Sequence, residues 1–373
     1  MDDAVARLEF RDPVRARQLQ ERLAAAVAQI GREVAVMHVC GSHEQAIARF
    51  GLRATFPPAL DLFMGPGCPV CITDAPEVDE AVALALSGVR VLTYGDMLRV
   101  PGSSRSLQDA RAEGGDVGVV YSVGQAVEEA RATDRPIVFF ATGFETTAVA
   151  TAAELLAGPP DNFHVLSAHK YVPPAMEIVA SMPDTHVEGY LAAGHAATIT
   201  GWGLFEEFAE RHRVPVVVAG FEPLDILAAL LILVEQIRDG KHEVVNAFPR
   251  CVSKDGNLPA LKALWRVFTP ALGRWRGIAD VPSGDLRLTP EFARWDARLR
   301  HTIDVTPLYD RVAPELAKQC VCGEVLAGKK RPDQCSLFLN RCTEDDPVGA
   351  CMVSTEGMCR IWARYGGRPN LGV

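Results

Sequence analysis

The sequence predicts an α/β protein: two similar doubly wound parallel-sheet domains plus a smaller, mainly helical, cysteine-rich C-terminal domain. Three observations predict this. Short β-rich runs alternate with helical stretches, the alternation recurs about 100 residues later, and six of the ten cysteines fall between Cys320 and Cys359. With 373 residues, 48% of them hydrophobic and 23% charged, the chain has the composition of folded domains and the length of two or three.

Taken in order, Val14, Leu19, Leu23 and Val27 recur at helical spacing, so residues 12–28 read as an amphipathic helix. Val34–Cys40, Leu60–Met64, Val89–Thr93 and Val117–Tyr121 read as strands separated by helices such as Glu77–Leu86. The order repeats in Pro136–Ala141, Phe163–Leu166, Gly189–Ala192 and Val214–Ala219. On this alignment Cys40-Gly41 corresponds to Gly143-Phe144, Cys68 to His169, and Gly95-Asp96 to Gly194-His195. The expected division is therefore 1–123, 124–245 and 246–373, with Asp225–Ile237 as a long apolar helix closing the second domain. Asn246–Pro270 and Asp280–Pro290, rich in Pro, Gly and charge, read as connecting segments. Loops leaving the C-terminal ends of parallel strands gather on one edge, where α/β sheets place ligands, and both halves carry unusual residues there.

A net charge of −9 without any Lys/Arg block argues against nucleic acid as a partner. The acidic start Met1-Asp2-Asp3 lacks the basic and apolar regions of a signal peptide. The longest apolar run, Ile226 to Val234, is far short of the roughly 20 residues of a membrane helix. The expectation is a cytoplasmic protein without membrane contact. In that reducing compartment ten cysteines point to metal binding or thiol chemistry rather than structural disulfides. No Walker A or G-x-G-x-x-G pattern supports nucleotide binding.

Cys40 closes a strand and precedes Gly41-Ser42-His43-Glu44 at the start of a helix, where the helix N-terminus and His43 favour a thiolate. Alone it reads equally well as a small buried residue. Gly65-Pro66-Gly67-Cys68-Pro69-Val70-Cys71 is the stronger signal, because a C-x-x-C on a Gly/Pro loop after a strand suits a redox dithiol or two ligands of one metal. On the doubly wound reading the three thiols share one edge and form one small pocket. Thr142–Thr147, Ser167–Lys170 and Gly194-His195 are singly no more than caps and polar loop residues; together they form the other wall of that cleft.

In the tail, Cys320, Cys335, Cys342 and Cys359 are spaced C-x14-C-x6-C-x16-C. Four converging thiolates suit a tetrahedral zinc or a cubane iron–sulfur cluster, and ligand type alone does not choose. The tail lacks the paired C-x2-4-C knuckles of zinc sites, and Gly323, Gly328, Gly349 and Gly357 let the backbone aim N–H groups at sulfur. These features favour iron–sulfur, with Cys322 and Cys351 left over.

Cys40-Gly-Ser-His-Glu44, the Gly65–Cys71 loop, Gly143-Phe-Glu-Thr-Thr147 and the tail through Gly349–Gly357 to Cys359 strongly resemble the HypD family of [NiFe]-hydrogenase maturation factors. Ser42 stands where threonine is more usual. The resemblance implies a scaffold, rather than a conventional turnover enzyme, on which the Fe(CN)2CO group is assembled in complex with a HypC-type chaperone. HypE supplies the cyanide, and the iron passes on to the hydrogenase large subunit. It further implies that Cys40 holds Fe(II) carrying cyanide and CO. Cys68 and Cys71 would be the redox-active pair with a part in iron binding, His43 and Glu44 neighbours of the iron in catalytic roles, and Cys320, Cys335, Cys342 and Cys359 ligands of a [4Fe-4S] cluster. Two other readings use the same cysteines: a cluster-driven thiol–disulfide oxidoreductase acting on protein substrates, and a zinc-stabilised interaction module.

Overall fold

The computed structural model describes residues 10–308 and 315–367; the acidic start Met1-Asp2-Asp3 lies outside them. Among the described residues the strands are β1 (Val34–His38), β2 (Leu60–Met64), β3 (Arg90–Thr93), β4 (Val117–Val119), β5 (Ile137–Gly143), β6 (Phe163–His169), β7 (Gly189–Ala193), β8 (Val216–Ala219), β9 (Val244–Asn246), β10 (Phe268–Trp275) and β11 (Ala279–Leu288). The first parallel sheet has the order β2-β1-β7-β8-β9, the second β4-β3-β5-β6, and β10 pairs antiparallel with β11.

The expected repeat exists, but its halves are exchanged. Strands β1 and β2 are joined by β7 and β8, while β5 and β6 are joined by β3 and β4. Each sheet thus takes its first two repeat strands from one half of the chain and its last two from the other. The expected boundary at residue 123 therefore does not separate the sheets. Periodicity shows which faces of a strand are buried and is silent on which strand lies beside it.

Both sheets are doubly wound. Val34 and Val36 pack with Leu23, Ile226 and Leu230 on one face of the first sheet, and Ala35 and Met37 pack with Tyr190, Val216 and Met176 on the other. In the second sheet Phe139 and Ala141 face the helices Val123–Arg131 and Glu145–Leu156, whereas Val138 and Phe140 face Ala75–Leu86 and Leu107–Ala112. The first helix, Pro13–Ile30, starts where the Asp12 side chain accepts from the backbone N–H of Val14 and Arg15, with Pro13 in its first turn. Its buried stripe is Leu23, Ala26 and Val27; Val14, expected inside, is 64% exposed.

The segment read as a connector is structured, and only the end of 246–373 is a cysteine domain. β9 completes the first sheet, and a helix, Leu258–Val267, leads into the β10–β11 hairpin. Pro270, Gly273 and a register shift between Ala271 and Gly273 interrupt the alternation of that hairpin, which hid it in the sequence. Trp275 and Phe268 bury it against both sheets.

One ion network fastens hairpin to sheets. Lys170, fully buried at the end of β6, donates to Glu77 Oε2 at 2.8 Å and Asp285 Oδ1 at 2.7 Å. Arg287 adds a second cation on Asp285 at 2.8 Å. Removing the ammonium while its carboxylates stay buried leaves uncompensated charge. Lys170→Met should cost about 3 kcal/mol, read as a lowered urea midpoint at unchanged slope; a shift below 0.5 kcal/mol would refute the lock.

Candidate functional site

The C-terminal edge of the first sheet gathers the front residues. Cys40 is two residues beyond β1, in extended backbone, and caps the helix Gly41–Arg49. The C-x-x-C loop lies directly against it: the Gly41 N–H donates to Gly67 O at 3.0 Å, and a side chain on Gly67 would strike the Cys40 backbone. Only glycine allows that approach. Because β7 lies beside β1, His195 at the start of the next helix brings Nδ1 within 3.8 Å of Cys40 Sγ.

Cys68 and Cys71 are joined as a disulfide, so this pocket holds one free thiol rather than the expected three. The disulfide caps the short helix Pro69–Ile72, with the Cys71 N–H donating to Cys68 Sγ at 3.2 Å. Both sulfur residues are fully buried, in a core shared with Phe144, Trp275, Cys322 and Cys351.

His43 and Glu44 part company. His43 Nε2 donates to the carbonyls of Gly220 (3.0 Å) and Ala219 (3.3 Å), leaving Nδ1 buried with no partner. Burial, with His38 and His195 nearby, holds its ring neutral, with a pKa of about 3. Glu44 has both oxygens engaged: Oε2 by His38 (2.8 Å) and Arg53 (2.6 Å), Oε1 by the Trp362 indole N–H (2.7 Å). Burial pushes this carboxyl up, but Arg53 and the hydrogen bonds from His38 and Trp362 outweigh it and hold it at about 2. Glu44 is thus committed to a buried clamp and has no oxygen to spare for an iron at Cys40. Cys40 itself is pushed up to about 12, first by burial and then by Glu356.

Glu356 and His38 adjoin the Cys40 turn, with Asp96 and Trp362 one contact further out. A side chain on Gly41 would meet Glu356 Cβ and its carbonyl oxygen at 2.5 Å, and Ser42 Oγ donates to Glu356 Oε1 at 3.1 Å. Asp96 Oδ2 accepts from the N–H and hydroxyl of Thr355, each at 3.0 Å. One signal for the clamp was present: His38, a polar residue inside a strand buried at every position, demands a partner.

In the tail the four expected cysteines border one small core. Cys320, Cys335, Cys342 and Cys359 pack on one small core with Leu337 and Met352. Cys342 Sγ accepts the Val348 N–H at 3.3 Å, and a side chain on Gly349 would meet Cys320 Sγ at 2.6 Å. The two remaining thiols are not set apart from the quartet: Cys322 Sγ lies 2.7 Å from Cys351 Sγ, and Cys320 and Cys359 pack against the same buried core that holds that pair. Among the described residues no group of three or more His, Cys, Asp or Glu side chains is posed to hold a metal as it stands. The donor set nonetheless fits a four-thiolate centre: four sulfurs around one core, an N–H aimed at one of them and a glycine where a side chain would crowd another.

A family model described as HypD, Hydrogenase formation hypA family, matches residues 14–366. The chain is 40% identical to the hydrogenase maturation factor HypD of Rhizobium leguminosarum bv. viciae, covering 96% of this chain and 94% of that protein. It is likewise 40% identical to HypD of Azotobacter vinelandii, over 96% of each. A putative hydrogenase expression/formation protein of Methanocaldococcus jannaschii is 40% identical over 88% of this chain and 91% of its own. The chain belongs to the HypD family.

The remaining motif of this HypD-family chain, Gly143–Thr147, follows β5 of the second sheet at its C-terminal end. Gly143 has φ +131, and a side chain there would strike Thr147. Phe144 reaches the disulfide core, whereas His169 bonds Thr151 at 3.0 Å and Lys170 belongs to the ion lock. Of the expected wall, His195 reaches Cys40. Glu145 accepts the Val172 N–H at 2.9 Å through Oε1 and leaves Oε2 buried and unpartnered. Burial raises its carboxyl from 4.5 to about 7. A carboxyl raised on folding stabilises fully below its unfolded pKa, and that contribution is lost as pH rises through the folded value. Glu145→Gln should therefore match the wild type near pH 4 and exceed it by about 2 kcal/mol at pH 8 in urea unfolding; equal stability at both pH values would contradict the raised carboxyl.

Proposed function

We propose that this chain serves hydrogenase maturation as the scaffold on which Fe(II), the cargo, is held by Cys40 while cyanide and CO are installed to give Fe(CN)2CO. The observation that carries this reading is the contact between the Cys40 turn and the Cys68–Cys71 loop on one sheet edge, within a HypD-family chain. A soft thiolate suits a low-spin iron. A HypC-type chaperone would supply a further thiolate, HypE the cyanide, and the hydrogenase large subunit would receive the product. No helix of the described residues is long and apolar enough to cross a membrane, and free thiols fit the cytoplasm.

Cys320, Cys335, Cys342 and Cys359 would hold a [4Fe-4S] cluster, which supplies single electrons when bound. Opening the Cys68–Cys71 disulfide takes two electrons and two protons. Cys322 and Cys351 share the disulfide's core and can furnish both by thiol–disulfide exchange, ending as the oxidised pair themselves. The oxidoreductase reading is less well supported, because Cys68 and Cys71 are 0% exposed and closed to a second protein's thiol.

Cys40→Ala should abolish the iron–cyanide infrared bands of the purified complex and leave the tail's visible absorption; retained cyanide bands would sink the assignment. Cys351→Ser should keep that absorption yet leave Cys68–Cys71 oxidised after dithionite, as counted by alkylation and mass spectrometry. Reduction at the wild-type rate would remove Cys351 from the route.

A further inference from the structure

Between Cys351 and the end of the tail, the chain is pinned to the first sheet at the very turn that carries Cys40. Cys359 and Trp362 lie on one eight-residue helix, Met358–Tyr365. Trp362, 4% exposed, donates its indole N–H to Glu44 at 2.7 Å and covers the Arg53 guanidinium with its ring, 5.7 Å from the centroid. Arg53 and His38 hold the other Glu44 oxygen. The second ring nitrogen of His38 faces the Cys40 carbonyl at 3.1 Å. A buried path of three polar contacts thus runs from the helix of Cys359 to the backbone of Cys40. The Glu356 contact on Gly41 and Ser42 clamps the same turn from the other side of Cys359.

We propose that Trp362 is a positioning residue that ties the state of the tail to the geometry of Cys40. This rests on the reading that Cys359 is a cluster ligand. With Cys359 fixed, its helix is docked, Glu44 is fully satisfied and Cys40 is shielded. With Cys359 released, the helix loosens its hold, a Glu44 oxygen loses its donor in a dry site, and the turn opens. A buried acceptor that loses its only donor is costly to leave in place, which makes this contact a hinge point between the two arrangements. Iron would then be accepted only by a chain whose tail is already assembled, a check on the order of assembly.

The test is the rate at which iodoacetamide modifies Cys40, followed by peptide mass spectrometry in cluster-bound and cluster-stripped protein. In the wild type, stripping should accelerate modification about tenfold, within the range usual for coupled sites. Trp362→Phe keeps the ring and loses the N–H; its cluster-bound form should react as fast as the stripped wild type while its visible spectrum is unchanged. Wild-type protection of Cys40 in that variant, with a normal spectrum, would overturn this inference alone. A colourless wild type in which stripping changes nothing would sink the cluster reading and this inference with it. Hydrogen exchange on the unmutated protein covers a variant that fails to fold: protection across residues 36–46 should fall on stripping, and equal protection would overturn the coupling.

Discussion

A strand buried on both faces must find a neighbour on each side, and β1 finds β7 where the chain order would offer β3. That pairing forces the chain to cross between sheets twice. The first crossing follows β2 and carries Cys68 and Cys71; the second follows β6 and begins at Lys170. Glu77, on the far side of the first crossing, meets Lys170 of the second at 2.8 Å, so the two crossings are tied together. The disulfide is held between sheets by topology, and the Cys40 turn is met by a residue, His195, 155 positions away.

The buried charges lie at the joints of this arrangement. Lys170 joins the crossings to the hairpin, and Glu44 joins the first sheet to the tail. Neither network need stabilise the fold more than apolar side chains of equal size, since desolvation offsets most of the attraction. What such groups impose is a single arrangement, because any slip leaves a charge or an acceptor unpaired. For a site assembled from three regions of one chain, that constraint matters more than its contribution to stability.

Most strands were legible because β-branched runs alternate with helices: Leu60–Met64 was read to the residue, and the helix read at Asp225–Ile237 runs from Pro223 to Arg238. The exchange of strands was not legible, since a period of two carries no information about neighbours. The tail quartet was legible from spacing, and the packing of Cys322 and Cys351 beside Cys320 and Cys359 was not. The resemblance puts His43 and Glu44 together beside the iron, and the helix that carries them sends the two side chains to different partners. His43 and Glu44 are third and fourth in their helix, so their side chains diverge by about 100°, one toward Gly220 and the other toward Arg53.

Burial governs the titratable groups around Cys40. Burial raises the thiol to about 12 and lowers His43 to about 3, and it lowers His195 as well. Glu356 is raised by burial and by Asp96, against the hydrogen bond from Ser42. A cation that takes Cys40 as a ligand must displace its proton, and the nearest base is the neutral His195 ring at 3.8 Å. Under the proposed role, that exchange would replace a proton by a metal at the sulfur and pass the proton to a ring already in contact. Helix N–H groups of Ser42 and His43, which favour the thiolate, then act with the cation instead of alone against burial. With the thiol raised by burial, such a pocket would keep its proton until a cation arrives to take the sulfur.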